Sequence, residues 1–155
     1  MNQSKRIDPL LRRAQEHEDA VARDLAERQR LLDTHLSRLD ELRRYAEEYA
    51  NAQMAATSPA QLLNRRAFLD RLDSAVEQQQ RTVDGNREKV EAERARLILA
   101  SRDKAVLEQL AASYRAQEKV VTDRRDQREM DDIGARRSRL AQAEDQDGAD
   151  TGVRS

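Results

Sequence analysis

An all-α fold is predicted for this 155-residue chain: a long antiparallel two-helix coiled-coil hairpin whose second helix is the longer. Three observations predict it. With 38% charged residues, only 3% aromatic, four Gly and two Pro, the chain is rich in helix formers and poor in turn formers. Its apolar residues recur in heptads over most of its length. Thr57-Ser58-Pro59 is its only strong internal helix break. So few large aromatic side chains give too little apolar area for a thick core, which favours an elongated helical pair over a globule.

The first helix is expected over 9–56. Asp8 before Pro9 matches an N-cap followed by proline in the first turn, where the missing N–H is not needed. From there one row runs through Ile7, Ala14, Val21, Arg28, His35, Leu42 and Tyr49, and a second through Leu11, Glu18, Leu25, Leu32, Leu39, Ala46 and Gln53. Offset by four and then three, these are the two seam positions of a coiled coil. Glu18, Arg28 and His35 interrupt it, and polar seam residues characteristically fix register at some cost in stability.

The bend is placed at 57–58 and the second helix at 59–139. Ser58 is a good N-cap, Pro59 suits the first helical position, and Gln61 completes a capping box. So short a connection makes the antiparallel hairpin the economical topology. Leu69, Val76, Val83, Val90 and Leu97 repeat at strict sevens; the pattern then slips and resumes through Leu107, Leu110, Tyr114 and Val121. Asp84-Gly85-Asn86 raises a hinge or a three-helix arrangement as the alternative. The valine register passes through Gly85 undisturbed, which argues for one continuous helix. At 1.5 Å per residue the arms would run about 70 Å and about 120 Å, leaving the second overhanging the first. Together 1–142 form the hairpin, and the acidic, small-residue stretch 143–155 is expected to be a disordered tail.

Tyr45, Tyr49 and Phe68, three of the four aromatic residues, flank the break. Arg38, Leu42, Tyr45 and Tyr49 share one helix face, as do Phe68, Leu72, Ala75 and Gln79. Back-folding brings the two stripes together near the bend. Tyr45 lies beside the seam and Phe68 next to Leu69, so both rings are expected to be partly exposed, as partner surfaces are. At the other end, Asp126 to Ile133 leads into Arg136-Arg137-Ser138-Arg139. That stretch is few in apolar residues and dense in charge, a solvated overhang or a docking segment whose arginines suit an acidic protein channel.

Formal net charge is −1 with acids and bases interleaved, which gives no field to steer the chain onto nucleic acid or an anionic membrane. No stretch approaches the roughly 18 apolar residues of a membrane span, and no leader is visible, so a cytoplasmic protein without direct membrane insertion is expected. Two histidines, His17 and His35, have no second ligand at a metal spacing, cysteine is absent, and no phosphate loop or nucleophile motif occurs. The chain reads as a non-enzyme without cofactor or metal. Leu107, Leu110 and Tyr114 offer a second copy a face in isolation.

From about Ile7 to Arg139 the chain resembles the FliJ family of flagellar type III export proteins. The likeness rests on Leu42-x-x-Tyr45-x-x-x-Tyr49, on Phe68-x-x-x-Leu72-x-x-Ala75-Val76-Glu77-Gln78, and on Asp126-Gln127-x-x-Met130-Asp131-Asp132. The resemblance implies a stalk similar to that of rotary ATPases. Its open end would insert into the hexameric export ATPase FliI and promote ring assembly. Its bend-side patch would bind the export gate protein FlhA at the cytoplasmic face of the inner membrane, and the family also recycles export chaperones. Carried over, the gate surface comprises Leu42, Tyr45, Tyr49, Phe68, Leu72 and Ala75, and ring docking falls to Asp126, Gln127, Met130, Asp131, Asp132, Ile133 and Arg136. Arg38 and Gln79 hold the outer positions of the gate surface but differ in residue type from the family pattern. Gly85 and the acidic extension past Arg139 have no family counterpart. A generic coiled-coil tether, or the equivalent stalk of a virulence secretion system, is the alternative.

Overall fold

The computed structural model describes residues 2–52 and 58–150. The described residues form two helices, α1 (Gln3–Asn51) and α2 (Pro59–Asp150), paired as a helical hairpin. The expected hairpin is therefore observed, with three corrections to its details. Gln53, expected in the seam, and Thr57, expected at the bend, lie outside the described residues.

The first correction concerns the start of α1. The helix begins six residues before the expected Pro9, with the Asn2 carbonyl accepting from the Lys5 and Arg6 N–H groups at 3.1 and 3.4 Å. Pro9 thus sits inside α1, where its lack of an N–H leaves the Lys5 carbonyl without its helical donor, a defect that costs about 3 kcal/mol in a helix interior. Packing outweighs that loss. Ile7 and Ser4 are buried, and Ser4 donates both its backbone N–H (3.1 Å) and its hydroxyl (2.6 Å) to the Glu118 carboxylate. Asp8, expected as the cap, instead meets Arg115 at 3.4 Å.

The second correction concerns the register of α2. No slip follows Leu97: the row of sevens continues through Lys104, Ala111 and Glu118, and its partner row through Ala100, Leu107 and Tyr114, all of them buried or half-buried. Leu110 is exposed because it lies off the seam. Val121 falls on a row but is exposed as well. The apparent slip came from counting only apolar residues. Lys104 holds its seam position by pairing with Glu18 at 3.1 Å, and Glu118 holds its own through Ser4.

The third concerns the tail. α2 runs to Asp150, past the expected helix end at 139; the last five residues lie outside the described part. α2 is also continuous through Gly85. No glycine has positive φ among the described residues, and a Cβ added at Gly85 would meet nothing within 4 Å, so the residue neither makes a turn nor admits a close neighbour.

The contacts divide the chain into two compact units. In the unit Leu11–Val106, α1 and α2 run antiparallel and zip through their paired rows, with Val21, Leu39, Val83 and Val90 buried between them and Val83 completely so. Burying such a side chain is worth about 1.5–3 kcal/mol, and repetition along the seam holds the pair together. Polar layers set the alignment: Glu18 opposes Lys104, and Gln79 donates to the His35 carbonyl (3.0 Å) while lying 3.2 Å from its Nδ1. The interruptions seen in the first arm at Glu18 and His35 are thus register locks. The other unit combines the described residues up to Leu10 with those from Leu107 onward, and from Val120 to residue 149 every residue of α2 in it is exposed.

Among the described residues no helix is long and apolar enough to cross a membrane.

Candidate functional site

Near the bend the two helix ends are tied by side chains. Ser58 Oγ accepts the Gln61 N–H at 3.3 Å, the capping bond expected from Ser58-Pro59-x-Gln61. On the facing end, Arg65 of α2 donates Nη2 to the carbonyls of Tyr49 (3.4 Å), Ala50 (3.1 Å) and Ala52 (3.0 Å). A helix C-terminus leaves carbonyls without intrahelical donors and carries partial negative charge, so a guanidinium from the next helix satisfies both needs. Sequence reasoning missed Arg65. One of many arginines on a charged helix, it carries no local signal until the second helix is folded against the first.

That closure brings the three rings together. The Tyr49 and Phe68 ring centroids lie 4.6 Å apart, tilted by 59°, and Tyr45 approaches Phe68 edge-on at 6.4 Å and 83°. Both separations fall in the range of favourable aromatic pairs. Tyr45 is 50% exposed, Phe68 and Tyr49 are half-buried, and Leu42 and Ala75 border them at intermediate exposure. Leu72, also assigned to this surface, is only 8% exposed. It faces the seam and supports the surface from beneath. Arg38, Glu41, Leu42, Tyr45 and Gln79 line an open depression beside the rings. Within it Gln79 is committed to His35.

The group at 126–136 is arranged differently. Asp126, Gln127, Met130, Asp131, Asp132, Ile133 and Arg136 all lie on exposed α2, and their spacing spreads them around most of the helix rather than along one face. Asp126, Met130 and Ile133 share a stripe, with Met130 and Ile133 open to solvent. Gln127 donates to Asp131 at 3.1 Å. Asp132 joins Val121, Arg124, Arg125, Arg128 and Glu129 around a second depression. Apart from that short stripe the helix is charged on its other sides, so it offers only a narrow, interrupted apolar face. Its arginines can meet carboxylates on several sides at once.

Two seam carboxylates are tuned by their partners. The Lys104 ammonium, with the Ser101 hydroxyl, holds Glu18 below the ordinary glutamate value of 4.5, and the Ser4 hydroxyl and N–H do the same for Glu118. Because each is harder to protonate folded than unfolded, the stability it contributes is complete above its unfolded pKa and is lost as pH falls through the lowered folded value. Acidification from about pH 6 to about pH 3 is therefore expected to lower the thermal midpoint more in the parent chain than in a Glu18→Gln, Glu118→Gln double variant. Circular-dichroism melts check this. Equal acid sensitivity in the two proteins would remove these carboxylates from the account.

The family model described as Flagellar FliJ protein matches residues 3–143 of the chain. No curated protein and no solved structure matches it.

Proposed function

Because the chain belongs to the flagellar FliJ protein family, and is thereby a component of the flagellar export apparatus, we propose that it is the coiled-coil stalk linking the hexameric export ATPase FliI to the export gate FlhA. The observation that carries this reading is the ring cluster beside the bend, Tyr45 edge-on to Phe68 and Phe68 against Tyr49, with Tyr45 half in solvent. Solvent-exposed aromatic area backed by a buried leucine is the kind of surface that supplies binding hot spots. Leu42, Tyr45, Tyr49, Phe68 and Ala75 contact the gate, and Leu72 holds them in place. Asp126, Gln127, Met130, Asp131, Asp132, Ile133 and Arg136 enter the ATPase ring, where a densely charged segment meets a surrounding partner. Nucleotide chemistry belongs to the ring. Export chaperones are further partners of the same protein.

The test is a paired capture experiment in which the purified chain is passed over immobilised ATPase and, separately, over the immobilised cytoplasmic region of the gate. Retention on both, together with stimulated ATP hydrolysis, is the expected result. A chain held by neither is a generic tether.

A further inference from the structure

The first residues of α1 are held differently from the rest of that helix. Of the described residues up to Leu10 only Ser4 and Ile7 are buried, and Leu10 is 50% exposed. Two open depressions run along their contact with α2, one reaching Val121 and Thr122 and the other Leu10 and Leu110, so packing does not seal it. A short set of ties holds the segment: Ile7 in the seam, Asp8 with Arg115, and the Glu118 carboxylate, which accepts from the Ser4 hydroxyl and N–H with help from the Gln3 backbone.

Pro9 separates this segment from the remainder of α1. Its missing N–H makes no hydrogen bond back to Lys5, so the helix is weakest across that turn. The division of the chain into compact units falls just beyond it on α1, between Leu10 and Leu11. A helical piece as short as Gln3–Asp8 has no stability of its own in water, so it is either docked on α2 or unwound. A region held by few buried contacts opens more readily than the seam behind it.

We propose that residues 3–8 are a latch that opens at Pro9 while the seam from Leu11 onward stays closed, with the Ser4–Glu118 pair as its bolt. Closed, it leaves α2 bare from Val120. Open, it also bares Ala111, Tyr114 and Glu118, about 14 Å more of α2. The hairpin then has two lengths of unpaired α2, and a partner that engages Ala111 or Tyr114 selects the longer. These residues lie outside both surfaces that the family resemblance assigns, and the latch stands or falls independently of FliI and FlhA.

Because the chain has no cysteine, single introduced thiols report the opening. Ala111, 1% exposed and one turn before Arg115, lies under the latch; Ala100, 3% exposed, lies in the seam behind it. In the full chain, with each rate taken relative to the same thiol in denaturant, Ala111→Cys is expected to react with an aromatic disulfide reagent at least about tenfold faster than Ala100→Cys. Adding Glu118→Ala should speed Ala111→Cys at least about tenfold and adding Pro9→Ala should slow it at least about tenfold, with Ala100→Cys within about twofold in both. Equal rates at the two thiols would mean that the segment opens only with the whole hairpin, and would overturn the latch. A rate at Ala111→Cys that ignores Pro9→Ala marks an end that frays without breaking at the proline, and one that ignores Glu118→Ala removes the bolt; either result overturns it too. Amide exchange of Ile7 to Arg12 in the chain without added thiols is the second readout, expected to slow in Pro9→Ala. Exchange unaltered there sinks the latch even where a cysteine variant fails to fold.

Discussion

Removal of residues 124–155 is expected to lower stimulation of the export ATPase at least about tenfold while leaving gate binding intact, a loss of about 1.4 kcal/mol or more in ring engagement. The structural reason is that this part of α2 supports nothing else. Every described residue from 124 to 149 is exposed, whereas the α1 N-terminus docks on α2 before that point, through Ser4 with Glu118 and Asp8 with Arg115. The cut therefore removes Asp126, Gln127, Met130, Asp131, Asp132, Ile133 and Arg136 without opening the seam. Helicity should fall only by the helix deleted. Steady-state ATP hydrolysis with the full and shortened chains measures the effect, and undiminished stimulation would take the ATPase-docking role away from this segment.

Tyr45→Ala is expected to weaken gate binding by about 2 kcal/mol, roughly thirtyfold, with melting temperature nearly unchanged. Half of Tyr45 is in solvent, so little is lost from the free protein when its ring is deleted. Phe68→Ala should weaken binding by as much but is less diagnostic. Its ring packs against both tyrosines, and each such aromatic pair contributes about 0.5–1.5 kcal/mol to the fold. Leu72→Ala would report on packing, since truncating a buried leucine costs about 2–5 kcal/mol. Comparing the three variants by calorimetry and by thermal melting separates recognition from support. Full affinity in Tyr45→Ala would move the gate surface elsewhere.

The elements legible in the sequence are those set by local chemistry. Seam rows such as Val21, Leu25, Leu32 and Leu39 announce their buried face by spacing alone, because a helix returns to the same side every three or four residues. Ser58-Pro59 announces the start of α2 because its capping bond is made within one turn. The neighbourhood of Tyr45, Tyr49 and Phe68 followed from the same two facts, since folding back at one break leaves only one place for residues at similar distances on either side of it.

Misread positions are those whose partner lies on the other helix. Asp8-Pro9 has the local grammar of a helix start, yet α1 begins at Gln3 because Glu118, more than a hundred residues away in sequence, takes up the Ser4 donors. Lys104 and Glu118 broke the apolar count on α2 but keep its register, because Glu18 and Ser4 stand opposite them. Arg65 closes α1 with a side chain from α2. By itself, then, the sequence determined the helices, their seam faces and the hairpin. Only the tertiary structure decided where α1 begins, how the polar layers align the two helices and which leucine of the ring surface lies beneath it. Helical periodicity is a property of neighbours along the chain. A hydrogen bond or ion pair between helices exists only once both partners have been brought within reach.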